Sequence, residues 1–311
     1  MISICIPIFN FDVRSLVLDL CKQIQLVSEH SIDIILIDDA SEEKFRSLNN
    51  IKHKTIQYIQ LEQNIGRSKI RNLFLTYTSK KYLLFLDCDS SVTENLQFVQ
   101  NYLNAIKEHR PMVVCGGRIY PNKCPSNAQS LSWSYGVNIE SRSLFQRQNK
   151  ANSAFQSSNF LIQRLVFQKF PFEVSLYQYG HEDTLFGIVL FNHNIAVLHI
   201  DNPILNIDIA DNDNFILNNA LAAQNLAFLV HSAIIERKDF KHVRLLVFYR
   251  KLESVGFEFL FTKFFTFFEP YILNNLKSSK PNLKLFNLYK LFLFIKEKRE
   301  LEEVCEASII S

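Results

Sequence analysis

The sequence contains no Cys-x-x-Cys pair and no zinc-type spacing; its six cysteines, Cys5, Cys21, Cys88, Cys115, Cys124 and Cys305, are scattered along the chain. That excludes a disulfide framework and points to reduced thiols in a cytosolic protein. No stretch reaches the roughly 18 uninterrupted apolar residues of a membrane span, and no charged segment leads into an apolar one at the start, so no secretory signal is expected. No Gly-x-Gly-x-x-Gly follows the first apolar segment, which weighs against a dinucleotide cofactor. Low hydrophobicity is absent too: 48% of the 311 residues are apolar, enough for a core. The length suits one domain of about 200 residues plus a smaller one.

The charge is uneven. Residues 1–236 hold 20 Lys/Arg against 22 Asp/Glu, residues 237–299 hold 14 against 5, and residues 300–311 hold none against 4. A near-neutral body with a basic region is not a nucleic-acid-binding profile, but it is compatible with resting on an anionic surface.

The most informative stretch is Tyr82-Leu83-Leu84-Phe85-Leu86-Asp87-Cys88-Asp89. Five largely apolar residues followed by two carboxylates read as a buried parallel strand whose C-terminal end opens into a site. If the strand's alternation persists, Asp87 and Asp89 leave the same face and can grip one divalent ion. Hard oxygen ligands of this kind suit magnesium or manganese.

The rest of the first ninety residues gives that strand its setting. Ile2–Ile8 reads as a first strand, with Asp12 capping a helix carrying Val13, Leu16, Val17, Leu20, Ile24 and Val27 on its inner face. Ile32–Ile37 is a second strand ending in Asp38-Asp39-Ala40-Ser41, whose carboxylates could meet a base or ribose in preference to capping the next helix, while Ser41 could equally be a cap. Residues 55–60 form a third strand, and Gly66 turns the chain into a helix on which Arg67 and Arg71, four apart, could meet a diphosphate. Alternating strands and helices at this density mean a doubly wound, mainly parallel sheet.

Four motifs in order now resemble glycosyltransferase family 2: residues 3–10 (Ser-Ile-Cys-Ile-Pro-Ile-Phe-Asn), 35–41 (Ile-Leu-Ile-Asp-Asp-Ala-Ser), Asn64-Ile65-Gly66 with Arg71-Asn72, and Phe85-Leu86-Asp87-Cys88-Asp89. The resemblance covers about the first two-thirds of the chain and implies the GT-A nucleotide-sugar fold. It further implies that Phe9 lies against the nucleobase and that Asp38 and Asp39 read the base or ribose. Pro7, Asn10, Gly66, Arg71 and Cys88 would line the donor site, with Asp87 and Asp89 holding ribose and metal.

Past this region, Thr93 opens a helix with Leu96, Val99, Leu103 and Ile106 inward, closed at Arg110-Pro111. Residues 112–115 form a short strand, and Gly116-Gly117-Arg118 allows backbone to approach a ligand closely. From Tyr120 to Phe155 periodicity is lost, which reads as a long loop region, a lid or acceptor wall. After a strand at 158–162 and a short helix at 166–170, the segment 177–184 (Tyr-Gln-Tyr-Gly-His-Glu-Asp-Thr) puts Glu182 and Asp183 into a helix's first turn. Acids there complement the helix dipole. The segment also resembles the family's Glu-Asp motif, which implies Asp183 as general base and Glu182 in hydrogen bonding at the site. The family commonly adds a His ligand beyond this helix, leaving His199, Asn206 and Asp208 as candidates for a third ligand, with His199 also readable as a core residue.

After Asp213 the pattern is helical. Residues 257–271 pack seven Phe among few charges, and residues 285–295 repeat aromatic and aliphatic residues between lysines. Either these helices pack as a subdomain or they offer an interfacial face with basic flanks; aromatics on all sides favour packing. The last dozen residues are acidic and expected to fray.

The resulting expectation is an α/β GT-A domain over 1–213 and a helical region over 214–311. The activity expected is an inverting, Mn2+- or Mg2+-dependent glycosyltransferase in bacterial surface glycan or glycoconjugate synthesis. It would carry a sugar from a nucleotide-sugar donor, with UDP as carrier, to a hydroxyl on a glycan or lipid-linked acceptor. The enzyme would be cytoplasmic, in peripheral contact with an anionic membrane at its inner face, with no nucleic-acid partner. The alternatives are a sugar-phosphate nucleotidyltransferase, which normally carries a Gly-rich loop with Arg and Lys that is absent here, and a non-catalytic membrane-docking protein of the same fold.

Overall fold

The computed structural model describes residues 1–27, 31–176 and 179–310, with the side chains of 306–310 excepted. In chain order the first elements are β1 (Ile2–Ile8), α1 (Arg14–Leu26), β2 (Ile32–Asp38), α2 (Glu43–Asn49), β3 (Ile56–Gln60), α3 (Arg67–Tyr77) and β4 (Tyr82–Leu86). They are followed by β5 (Ser90–Ser91), α4 (Phe98–His109), β6 (Val113–Cys115), β7 (Arg118–Ile119), α5 (Ser130–Tyr135) and α6 (Leu144–Gln148). The chain continues through β8 (Asn159–Gln163), α7 (Arg164–Lys169), α8 (Glu182–Asn192), β9 (Val197–His199) and β10 (Ile204–Asn206). The remainder is α9 (Asn212–His231), α10 (Arg244–Ser254), α11 (Glu258–Leu276) and α12 (Leu283–Ile310). Two compact units result, one of residues 1–121, 140–177 and 189–208, the other of 122–139, 178–188 and 209–311.

The first unit is built on a seven-stranded sheet of order β3-β2-β1-β4-β8-β6-β9. β1 pairs in parallel with β2 and β4, β2 with β3, and β6 with β9, whereas β8 runs antiparallel between β4 and β6. The central strands are apolar almost without interruption because helices cover both faces. Leu16, Val17 and Leu20 of α1 and Phe98, Val99, Tyr102 and Leu103 of α4 close one such layer over Ile4, Ile6, Leu84 and Leu161. A second, three-stranded sheet, β5-β10-β7, stands at the end of β4.

Several local expectations change. Helix α1 starts one residue after Val13, and Asp12 instead accepts the Arg14 N–H (3.0 Å) and forks with its guanidinium. Ser41 caps no helix: its Oγ accepts the Asn10 N–H at 2.8 Å. Helix α4 begins at Phe98 and not Thr93, leaving Leu96 76% exposed outside it. Gly116 and Gly117 admit neighbouring side chains rather than a ligand. A Cβ on Gly116 would stand 2.4 Å from Asn159 Nδ2 and from Asn202 O, and one on Gly117 2.8 Å from Arg147 Cζ. Between 120 and 155 the chain is not a bare loop but the short helices α5 and α6 with a π-helical turn at Gly136–Glu140.

The second unit is helical. Leu226, Ala227 and Leu229 of α9, Leu246 and Tyr249 of α10, and Phe286, Phe294 and Ile295 of α12 are buried. Asn212 ties its parts together, accepting the Leu131 N–H (2.9 Å) and donating to Asn127 O (3.1 Å). The acidic tail continues α12, which runs from Leu283 to Ile310.

Candidate active site

The carboxylates of Asp87 and Asp89 do not extend the alternation of β4. That strand stops at Leu86, and Asp87–Ser90 is a tight turn in which the Ser90 N–H donates to Asp87 O (3.2 Å). The turn folds the two acids toward one another and hands Asp89 to the small sheet. There Asn206 Nδ2 donates to Asp89 Oδ2 at 2.7 Å and Ile207 N–H to Asp89 O at 3.0 Å.

Charge separates the roles of the pair. Asp87 receives Arg71 Nη2 at 2.5 Å and Arg67 Nη2 at 3.6 Å. Burial would raise its pKa, but Arg71, Arg67 and Arg118 together hold it below the usual carboxylate value. Asp89 is pushed up to about 6, by burial first and then by the Asp87 charge, against the pull of Arg118, Arg67 and Asn206. Cys88 between them is pushed up to about 12 by its burial and then by the charges of Asp89 and Asp87, so it stays a neutral thiol. Arg118, on β7, is the residue that sequence reasoning missed as part of this site. It pairs with Glu140 at 3.5 Å, stacks 5.2 Å from the Tyr120 ring, and feels both aspartates. Only the register β10 to β7, Ile204 opposite Arg118, brings it here, and that pairing leaves no trace in the sequence.

Can this site hold a cation? Among the described residues no group of three or more His, Cys, Asp or Glu assembles. Asp89 nevertheless fits one, being a half-buried carboxylate whose charge its surroundings disfavour, and a two-carboxylate site suits Mg2+ or Mn2+, which keep several positions for water and substrate phosphate. His199 does not join it. Its Nδ1 meets Arg147 Nη1 at 3.0 Å and its Nε2 meets Ala151 O at 2.8 Å, so both nitrogens serve the interior and burial lowers its pKa to about 4. Asn206 is the third candidate found beside Asp89, while Asp208 lies exposed just beyond.

The acids expected to read the nucleoside are fastened into the scaffold. Asp38 is wholly buried, taking the Ser41 N–H (2.7 Å) and the Tyr58 hydroxyl (3.1 Å). These two contacts shape the β2 end. Asp39 accepts the N–H groups of Ile65 (2.8 Å) and Gly66 (3.1 Å), which fixes the turn into α3, where Gly66 has φ +83°. A carboxylate has about four acceptor positions, so Asp39 keeps capacity for a further donor. Phe9, following Pro7 at the end of β1, is 51% exposed, and Asn10 holds the neighbouring loop by accepting the Glu42 N–H at 2.8 Å.

The Glu182-Asp183 segment belongs to the second unit, and Tyr177 and Gln178 of that motif lie outside the described residues. Gly180 (φ +103°) and His181 (φ +69°) turn the chain into α8, and a Cβ on Gly180 would meet Ala222 Cβ at 2.5 Å. Asn225 of α9 fastens the turn, donating to Gly180 O at 3.0 Å. Glu182 is buried and Asp183 half-buried in the first turn. Burial, aided by Lys290, lowers the His181 pKa to about 4 despite Glu182, so this histidine is neutral.

The sequence model described as Glycosyl transferase family 2 matches residues 3–170, just over half the chain. No curated protein matches by sequence. Among solved structures, the mannosyltransferase PcManGT from Pyrobaculum calidifontis, in complex with GDP-Man and Mn2+, aligns with TM-score 0.54 at 12% identity, over 75% of this chain and 64% of that one. This chain thus spans less than two thirds of that relative's length. S. aureus TarS 1–349 in complex with UDP aligns over 99% of this chain and 91% of that one, at 17% identity and TM-score 0.49. At such identities the first likeness shows the fold alone, and the second adds no weight.

Proposed function

The chain belongs to glycosyl transferase family 2, and on that premise we propose that it moves a sugar from a nucleoside-diphosphate donor to a hydroxyl acceptor with inversion. The observation that carries this reading is the cluster at the end of β4, in which Arg67, Arg71 and Arg118 surround the Asp87 and Asp89 pair. Arg118 is shared with Glu140, so three guanidiniums face three carboxylates, and a cation at Asp89 would supply the remaining charge compensation for a diphosphate leaving group, the kind that lowers a transfer barrier. Arg71 is spent on fixing Asp87, so Arg67, with 43% of its side chain exposed, is the arginine with reach toward phosphate. Asp89, with Asp87, would hold Mn2+ or Mg2+, which when bound neutralises charge on the leaving diphosphate.

Phe9 is the wall for the base, and Asp39 the acceptor for a ring imide. That assignment favours a UDP sugar, and a GDP sugar offers a comparable N–H. Asp183 is the general base for the acceptor hydroxyl, with Glu182 positioning it. A reducing, cytoplasmic setting is part of this reading, and its support is the scattered spacing of the six cysteines.

Calorimetric titration with UDP tests the cation and donor roles together. Wild type should bind UDP markedly more tightly with Mn2+ than without, and Asp89→Asn should lose that metal dependence while remaining folded. Equal UDP affinity with and without Mn2+ in wild type, or an unchanged dependence in Asp89→Asn, contradicts the assignment.

A further inference from the structure

Helix α11 carries apolar residues on more than one side, yet only part of them is covered. Phe265, Ile272 and Leu276 are buried, with Phe265 stacked 5.7 Å from Phe292 of α12. On the other side Leu260, Phe264, Phe267, Phe268 and Tyr271, spaced at helical intervals, remain 37–73% exposed. Their rings meet one another, Phe264 to Phe268 at 4.6 Å and Phe267 to Phe268 at 4.9 Å, and so form one patch. Contiguous apolar patches of this kind mark interaction sites rather than ordinary surface.

The charge around the patch says what covers it. Residues 237–299 carry 14 Lys/Arg against 5 Asp/Glu, a surplus of nine. Of the acids on and beside α11, Glu269 accepts the Tyr289 hydroxyl (2.9 Å), Glu253 is held by Arg237 and Tyr249, and Glu258 is half-buried in the first turn. Cations remain outward: Lys263 sits over the Phe259 ring at 4.5 Å, Lys251 near Phe248 at 5.8 Å, and Lys280 and Lys284 are exposed past the helix end. Among the described residues no helix is long and apolar enough to cross a membrane. A second copy seated on the same face would bring the exposed Lys263, Lys280 and Lys284 against their counterparts, which is unfavourable. Rings and cations side by side match a surface that is anionic outside and apolar beneath.

We propose that the exposed stripe of α11 seats the helical unit peripherally on an anionic lipid bilayer, with the rings entering the headgroup boundary and the exposed lysines meeting lipid phosphate. The proposal stands independently of the donor and of the chemistry at Asp89 and Asp183.

Flotation of the full chain with phosphatidylcholine vesicles, with and without phosphatidylglycerol, tests it. Wild type should float only with the phosphatidylglycerol vesicles, and binding should weaken as salt is raised, because exposed charge is screened within about 8–10 Å. The triple variant Phe264→Ser, Phe267→Ser, Tyr271→Ser removes exposed rings only, so its thermal melt should match wild type while vesicle affinity falls at least about tenfold. Lys280→Glu with Lys284→Glu should weaken binding to the acidic vesicles in the same direction. Wild type that fails to float, or a triple variant that floats as well as wild type, overturns the proposal. So does sedimentation showing a dimer that the triple variant converts to monomer with no lipid binding in either, since a second copy then covers the face.

Discussion

Replacing Arg71 by Met separates a structural ion pair from a mere surface charge. Arg71 is 2% exposed, its Nη2 lies 2.5 Å from Asp87 Oδ1, its Nη1 donates to Arg67 O, and its guanidinium carbon sits 5.8 Å from the Phe172 ring. Methionine keeps most of the stem's packing and removes the charge. Breaking a buried pair by deleting one partner costs about 3–5 kcal/mol because the other charge is left buried. Arg67 at 3.6 Å and the more distant Arg118 remain, so the low end, about 3 kcal/mol, is expected, or about 6–12 °C in Tm for a unit of this size.

The pH dependence has a definite sign. In wild type the Asp87 pKa is depressed, so its contribution is present above the unfolded value of about 3.9 and is lost only as pH falls through the lower folded value. In the variant burial prevails, the Asp87 pKa rises above 3.9, and the penalty falls on the ionised form alone. The gap between the two proteins should therefore be widest near neutrality and narrow toward pH 4–5. Urea unfolding across that range reads it, and Asp87→Asn in the Arg71→Met background should restore much of the loss. A gap independent of pH, with no recovery in the double variant, would refute the ion-pair account.

Two glycines give further checks. Gly180→Ala should cost about 1–3 kcal/mol through its φ of +103° and the 2.5 Å approach to Ala222, read as a lower melting temperature, with transfer activity falling further because the turn carries Glu182 and Asp183. Gly116→Ala should cost about 1–3 kcal/mol or more, since the new methyl meets the Asn202 carbonyl at 2.4 Å; a melt within a degree of wild type would mean the strand end yields freely.

What could be read in advance follows from where burial writes itself into sequence. β1, β2 and β4 were legible almost to the residue because strands covered on both faces are continuously apolar. The short helices between 130 and 148 were not, since Ser, Asn and Gln carry no periodicity and α6 rests on a capping box at Ser143 and Gln146. Asp38 and Asp39 were placed at the right strand end, but Asp38 proved to be spent on the scaffold, which depends on Tyr58 from a different strand. The same limit hid Arg118. In α11 the aromatics were visible and the division into a covered and a bare side was not, because both sides are equally apolar.

Transfer by Asp183→Asn tests the central claim most directly. With a donor identified by mass-spectrometric screening of nucleotide sugars in Mn2+, the variant keeps size and helix-capping ability but cannot take a proton. Its transfer rate should fall about 10²–10⁴-fold, the usual share of a general base, while donor affinity stays within about twofold of wild type. A variant that transfers sugar at the wild-type rate, or a wild type that turns over no nucleotide sugar with any tested acceptor and divalent ion, would contradict the account.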